Sequence, residues 1–212
     1  MSDPADLSSR PSLRMPADQR RQQLFEVARE RFAQQGFHAT SMDEIAEAAG
    51  VTKPVLYQHF PSKRALYVEL LEETGRQLLS RLAEATERAG SLRERVELGF
   101  RAYFRFAVGD RSAFLFLLGT SLRSDPEFAR IVEEILDAAA ETIATLIEIP
   151  APEEQRQMLA NAIVGMAESV GRRALRDPDA VVDGDQLAQW ISELAWFGFR
   201  GVRTDTTLDS SN

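Results

Sequence analysis

The 212-residue chain contains no cysteine, two histidines and, among its 25 basic residues, only two lysines. The missing cysteines remove disulfides, thiolate zinc sites and cysteine nucleophiles together. Neither His38 nor His59 has an evident catalytic partner, and two imidazoles make a poor zinc site, so no metal and no cofactor are expected. No glycine-rich phosphate loop is present, and Glu133, Glu134, Asp137 and Glu141 stand at helical spacings that read as a solvated face. These absences point away from an enzyme. Long apolar runs are missing too: Ala113–Leu118 is the longest, at six residues, where a bilayer crossing takes about 20. The first residues lack the basic and apolar regions of a signal peptide. No membrane partner is therefore expected, and the cytoplasm is the expected location.

What the chain does have is acid and helix formers. Its net charge is −8, which on average disfavours polyanions. The average conceals a gradient, however. Up to Tyr67 there are nine basic and eight acidic residues, and beyond it 16 and 25. Both lysines and both histidines lie in the near-neutral part. Since ionic screening confines a charge to about 8–10 Å, the local balance matters more to a phosphate than the total.

Residues 1–16 carry three prolines and four serines with few apolar groups and read as a flexible tail. From Asp18, Leu24, Ala28 and Phe32 recur on one helical stripe until Gly36, a natural stop. Ser41-Met42-Asp43-Glu44 has the S-x-x-E form of a capping box, starting a short helix that ends near Gly50. Thr52, with Pro54 in the first turn, starts another that runs to about Phe60. Pro61-Ser62 recaps the chain for a longer amphipathic run from Lys63. Further helices are predicted over 91–108, 111–122, 125–148, 153–176 and 184–202, with no stretch of alternating polarity suited to a strand. The expected class is all-α, about nine helices.

Two short helices meeting at Gly50, with Ile45, Ala46, Ala49, Val51 and Leu56 as an inner wedge, have the proportions of a helix-turn-helix. The run Ala39-Thr40-Ser41-Met42-Asp43-Glu44-Ile45-Ala46-Glu47-Ala48-Ala49-Gly50-Val51, continuing through Thr52-Lys53-Pro54-Val55-Leu56-Tyr57-Gln58-His59-Phe60-Pro61-Ser62-Lys63, resembles the DNA-binding domain of the TetR (tetracycline repressor) family of bacterial regulators. The resemblance implies a transcriptional regulator, in the simplest form a repressor that a small hydrophobic ligand releases from a palindromic operator. A helical ligand-binding or interaction module without DNA binding is the alternative. It also implies roles. Thr40 and Ser41 would meet phosphates from the start of the second helix, and Tyr57, His59 and Lys63 would clamp the DNA backbone. Thr52, Lys53, Pro54, Val55 and Gln58 would form the surface facing the major groove. Arg10 and Arg14 are candidates for an adjacent minor groove, set against a solvated tail.

On this reading residues 17–67 bind DNA, 68–203 bind ligand and dimerise, and 204–212 form a second tail. A single recognition helix reads few base pairs, so a homodimer is expected. Leu159, Ile163, Val170, Leu187, Trp190, Ile191, Leu194 and Phe197 on the last two helices are its candidate seam. The resemblance also implies a ligand cavity at the aromatic-rich middle, with Phe100, Tyr103, Phe104, Phe114, Leu118 and Met166 as its candidate lining, set against plain core. Arg123 and Arg173 are candidate partners of an anionic head, such as that of a fatty acid or acyl-thioester.

Overall fold

The computed structural model describes residues 16–119, 125–147, 149–177, 179 and 181–201. The expected tails, Pro16 excepted, lie outside these residues, as do Arg10, Arg14 and Arg123. Among the described residues every regular element is helical: α1 (Ala17–Ala39), α2 (Met42–Ala48), α3 (Lys53–His59), α4 (Lys63–Glu87), α5 (Leu92–Gly109), α6 (Arg111–Leu118), α7 (Pro126–Leu146), α8 (Glu153–Ala174) and α9 (Gly184–Gly201). The fold is all-α.

Helix ends fall where the sequence provides for them. Gly36 takes φ 79° and breaks α1 before one last turn, a conformation glycine adopts without steric cost. Ser41 caps α2: its Oγ accepts from the Glu44 N–H at 3.2 Å while its own N–H donates to Glu44 Oε2 at 2.7 Å. The Ser41 backbone N–H, followed by the Ser41 hydroxyl donating to Glu44 Oε2 at 2.8 Å, holds the Glu44 carboxyl below the usual carboxylate range. Gly50, at φ 65°, makes the turn into α3. Ser62, Ser91, Asp110 and Asp125 cap α4, α5, α6 and α7 through their side chains. Thr52 precedes α3 in the cap position, but its hydroxyl makes no capping bond. α6 closes at Leu118, earlier than the expected residue 122.

Packing divides into three zones. Leu24, Ala28, Ile45, Ala46, Leu56 and Phe60 form the small core of α1–α3. An aromatic cluster then joins this unit to the rest, with Tyr67 of α4 packed on Phe32 of α1, Phe116 of α6 and Phe128 of α7 at centroid distances of 4.7, 4.9 and 4.4 Å. Beyond it, α4, α5, α7 and α8 surround a cavity and α9 lies along α5. Gly75 lets α4 and α7 cross closely, since a Cβ there would lie 2.8 Å from Ile135 Cγ1. Arg105 of α5 grips Asp185 of α9 with two hydrogen bonds of 2.8 and 2.9 Å.

Candidate DNA interface, cavity and subunit face

The helical period of α3 sorts its side chains. Leu56 and the following Phe60 are fully buried, while Thr52, Lys53, Pro54, Tyr57 and Gln58 are exposed and Val55 and His59 half-buried. Tyr57 is 41 % exposed, unusual for an aromatic side chain with a core within reach. Arg21 of α1 fixes the far end of α3: it donates to the His59 carbonyl at 3.2 Å, pairs with Glu69 of α4 and lies over the Phe60 ring at 4.6 Å. The Lys53 ammonium forms an ion pair with Asp43 of α2 at 2.8 Å, which holds its pKa above the usual lysine value. On the neighbouring surface, the hydrogen bonds run inward. Thr40 is buried, and its hydroxyl donates to the Gly36 carbonyl at 2.9 Å. The Ser41 hydroxyl is engaged with Glu44. Lys63 donates to the carbonyls of Phe37, Thr40 and His38 at 2.7, 2.8 and 3.4 Å and sits 4.5 Å over the Phe37 ring. An ammonium has three donors, and here all three point at the end of α1.

The cavity has a volume of about 480 Å³ and is walled by α4, α5, α7 and α8, with aliphatic side chains such as Leu78, Leu82, Ile135, Ile143 and Ile163. Phe100 and Tyr103 line it as expected; Phe104, Phe114 and Leu118 are buried but lie outside its wall. Met166 is half-buried and Arg173 exposed, neither of them on the lining. The cation that does reach the cavity is Arg95 of α5, whose guanidinium makes no ion pair or hydrogen bond among the described residues.

On α9, Trp190, Leu194 and Phe197 are 59, 60 and 64 % exposed and follow a helical stripe. Met158 of α8 is also 60 % exposed. Of the other expected seam residues, Leu159, Val170, Leu187 and Ile191 are half-buried, whereas Ile163 is buried and forms part of the cavity wall.

A model of the N-terminal region of bacterial regulatory proteins of the tetR family matches residues 24–70. A model of a tetracyclin repressor-like C-terminal domain matches residues 92–198, half of the chain. The chain belongs to the TetR family. As a TetR-family protein it is a DNA-binding, ligand-responsive transcriptional regulator. It is 32 % identical over 191 residues to the transcriptional activator FasR of Mycolicibacterium smegmatis, covering 89 % of this chain and 87 % of FasR. Among solved structures, a TetR-like regulator from Rhodococcus sp. RHA1 matches with a TM-score of 0.75 at 29 % identity, over 89 % of this chain and all of that one. The Bacillus subtilis regulator FadR, solved in complex with stearoyl-CoA, has the same fold, with a TM-score of 0.70 at 20 % identity over 86 % of this chain and 99 % of FadR.

In this TetR-family chain the exposed side of α3 follows from helical spacing, whereas Arg95 stands outside the residues that the sequence motifs mark. Its signal was present: Arg95, Gly99 and Tyr103 recur at i, i+4 and i+8 on one side of α5.

Proposed function

We propose that this regulator binds a palindromic operator in double-stranded DNA as a homodimer, with α3 in the major groove, and that a fatty acid or acyl-thioester entering the cavity releases it. Residues 17–67 are the DNA-binding unit and 68–203 the effector and dimer unit, with α4 shared between them. Lys53, Gln58, Thr52 and Val55 are the base-facing candidates, with Pro54 shaping the entry of α3. Tyr57 and His59 flank them toward the phosphates. Thr40, Ser41 and Lys63 act by setting the α1–α2 junction that carries α3, because their hydroxyls and ammonium already have protein partners. The apolar stripe on α9, with Met158 beside it, supports a two-fold seam that spaces two recognition helices. Such a protein works where the DNA is, in the cytoplasm, and its residues act by binding without making or breaking bonds.

The effector reading is carried by one observation: the cavity is lined mainly by apolar side chains, yet Arg95, an arginine with no ion-pair partner among the described residues, reaches it. That combination suits a chain with an anionic head, and the volume lies within the roughly 300–1,000 Å³ usual for ligand pockets. The like-folded FadR, which binds stearoyl-CoA, supports the same class. Filling the cavity presses on α4, whose first turn holds the end of α1 through Lys63 and so communicates with α3. The test is fluorescence anisotropy of a labelled operator fragment, recovered from genomic DNA, with dodecanoyl-CoA or dodecanoate added. Coupling of the usual size lowers operator affinity by about 5–150-fold at saturation. Unchanged affinity with both compounds would remove acyl effectors from consideration.

A further inference from the structure

Of the cavity's two ends, one is sealed. The lining begins on α4 at Leu78 and on α7 at Ile135, and it stops on α5 at Tyr103 and on α8 at Ala167. These positions share one level. α4 and α7 run parallel, with Arg64 paired to Asp125 and Gly75 set against Ile135. α5 runs back along α4, with Gly99 beside Thr86 and Arg81 over the Phe106 ring, and α8 meets α5 where Gly171 approaches Tyr103. Leu78, Tyr103 and Ala167 are buried. Just past them, two glycines let the walls shut. At Gly75 a Cβ would collide with Ile135 Cδ1 and lie 2.8 Å from Cγ1, so the isoleucine seats on bare α4 backbone. At Gly171 a Cβ would lie 2.7 Å from Phe114 Cζ, so α8 closes on α6. The opening is further along, where Ser80, Ala83 and Thr142 are exposed and Thr86 and Arg95 half-buried. From Tyr103 back to Arg95 is about 12 Å of α5, at 1.5 Å of rise per residue.

We infer that Ile135, seated on Gly75, is the floor that limits effector length, and that the effector class is a medium acyl chain of about ten to twelve carbons. This rests on the acyl reading above, with the carboxyl end at Arg95 and the methyl end on Ile135. The length follows from the depth: an extended chain of single bonds advances about 1.2 Å per bond, so roughly ten bonds reach from the level of Arg95 to the floor. A shorter chain leaves Ile135 facing a gap without contacts. A longer one must buckle or draw its head away from Arg95.

The experiment is calorimetric titration of the full-length protein with straight-chain carboxylates from octanoate to hexadecanoate, with the CoA thioesters of the same lengths, and with the corresponding alkanols as uncharged probes. In the wild type each added methylene tightens binding about fourfold until the limit is reached, and longer chains gain nothing more. Ile135→Ala moves that limit about two carbons longer, filling the volume the substitution vacates. Gly75→Ala, whose methyl drives Ile135 toward the cavity, moves it shorter, and combining the two substitutions brings it back toward the wild-type length. Should Gly75→Ala fail to fold, Ile135→Ala decides alone. Affinity that climbs through to hexadecanoate in the wild type, or a limit that Ile135→Ala leaves in place, overturns the floor while the acyl reading stands. If no acid or thioester binds but the alkanols do, with a limit that Ile135→Ala lengthens, the acyl reading falls and Ile135 keeps its role. If none of the three series binds, both fall.

Discussion

At its first residue, α4 is held by Lys63, whose ammonium bonds three carbonyls of the α1 end; further along the same helix, Gly75 simply lets the aliphatic Ile135 of α7 come close. The contrast runs through the molecule. Around α3, charged and polar side chains close helix ends: Arg21 on the His59 carbonyl, Ser41 with Glu44, Ser62 at the start of α4. Such bonds are directional and fix orientation. Around the cavity the helices meet through aliphatic side chains, whose attraction has no preferred direction and tolerates small displacements. A regulator needs both, a stiff reading head and a wall that yields to a ligand. Arginines on two helices bridge the zones through ion pairs among the described residues: Arg29 of α1 with Asp110 at the start of α6, and Arg64 of α4 with Asp125 and Glu127 at the start of α7.

The largest effect comes from placing charge where apolar contact is used. Leu194→Glu puts a carboxylate at the centre of the α9 stripe, on a side chain already 60 % exposed, so the subunit itself stays folded. In the proposed dimer, two-fold symmetry brings two such charges together, and a buried hot spot is worth at least about 2 kcal/mol. Sedimentation should shift from dimer to monomer and operator affinity should fall by roughly 30-fold or more. A dimer that persists would move the seam elsewhere.

Removing charge where directional bonds are used comes next. Lys63→Met orphans the carbonyls of Phe37, His38 and Thr40 while keeping much of the stem over the Phe37 ring. Hydrogen bonds to a charged group contribute about 1.5–3 kcal/mol, and a loss of that size should appear in urea unfolding. The dependence of operator affinity on salt separates this role from the one implied by family resemblance. A phosphate contact adds about one unit to the slope of log affinity against log salt. The ammonium's three carbonyl bonds make no such contribution, so the slope should not change.

The same residue shows what could be read from the sequence. The capping box, the turn at Gly50 and the α3 face depend on neighbours within a few positions, so their logic is written along the chain. Whether Lys63 faces phosphate or the Thr40 carbonyl depends on how α4 crosses α1, which no local pattern encodes. The cavity is harder still. Phe100, Tyr103, Phe104 and Phe114 form one aromatic cluster in sequence, yet only the first two line the cavity, because the helical period of α5 turns Phe104 into the core and Phe114 lies on α6, which does not wall the cavity. Its other walls come from α4, α7 and α8, and an aliphatic residue reads the same whether it faces a cavity or a neighbour. Ile163, expected at the seam and found in the cavity wall, is the clearest instance.

A smaller effect is expected at the bridge. Arg64 makes two hydrogen bonds of 3.0 Å to Asp125, which also caps α7 by accepting from the Glu127 N–H at 3.0 Å. Arg64→Gln cuts this link between the start of α4 and the start of α7 without touching the α3 surface or the cavity lining. Operator affinity without effector should hold, and the effector-induced drop should shrink by about fivefold, the low end of usual coupling. An undiminished drop would assign transmission to the aromatic cluster around Tyr67.

The smallest effect tests the reading surface itself. In the free protein the Lys53 ammonium is tied to Asp43, 2.8 Å away on α2. To reach a base or a phosphate, Lys53 must leave that carboxylate, and DNA must also accept the uncompensated charge of Asp43 close to its own phosphates. Asp43→Asn removes both obstacles and keeps a side chain of the same shape. Exposed pairs are weak and screened by salt, so operator affinity should rise only about two- to fivefold at low salt, with the gain shrinking as salt is added. Affinity for random DNA should rise by a similar factor, because the substitution changes charge and little else. An increase confined to the operator would instead mean that Asp43 steers Lys53 toward a particular base, making the pair part of sequence recognition.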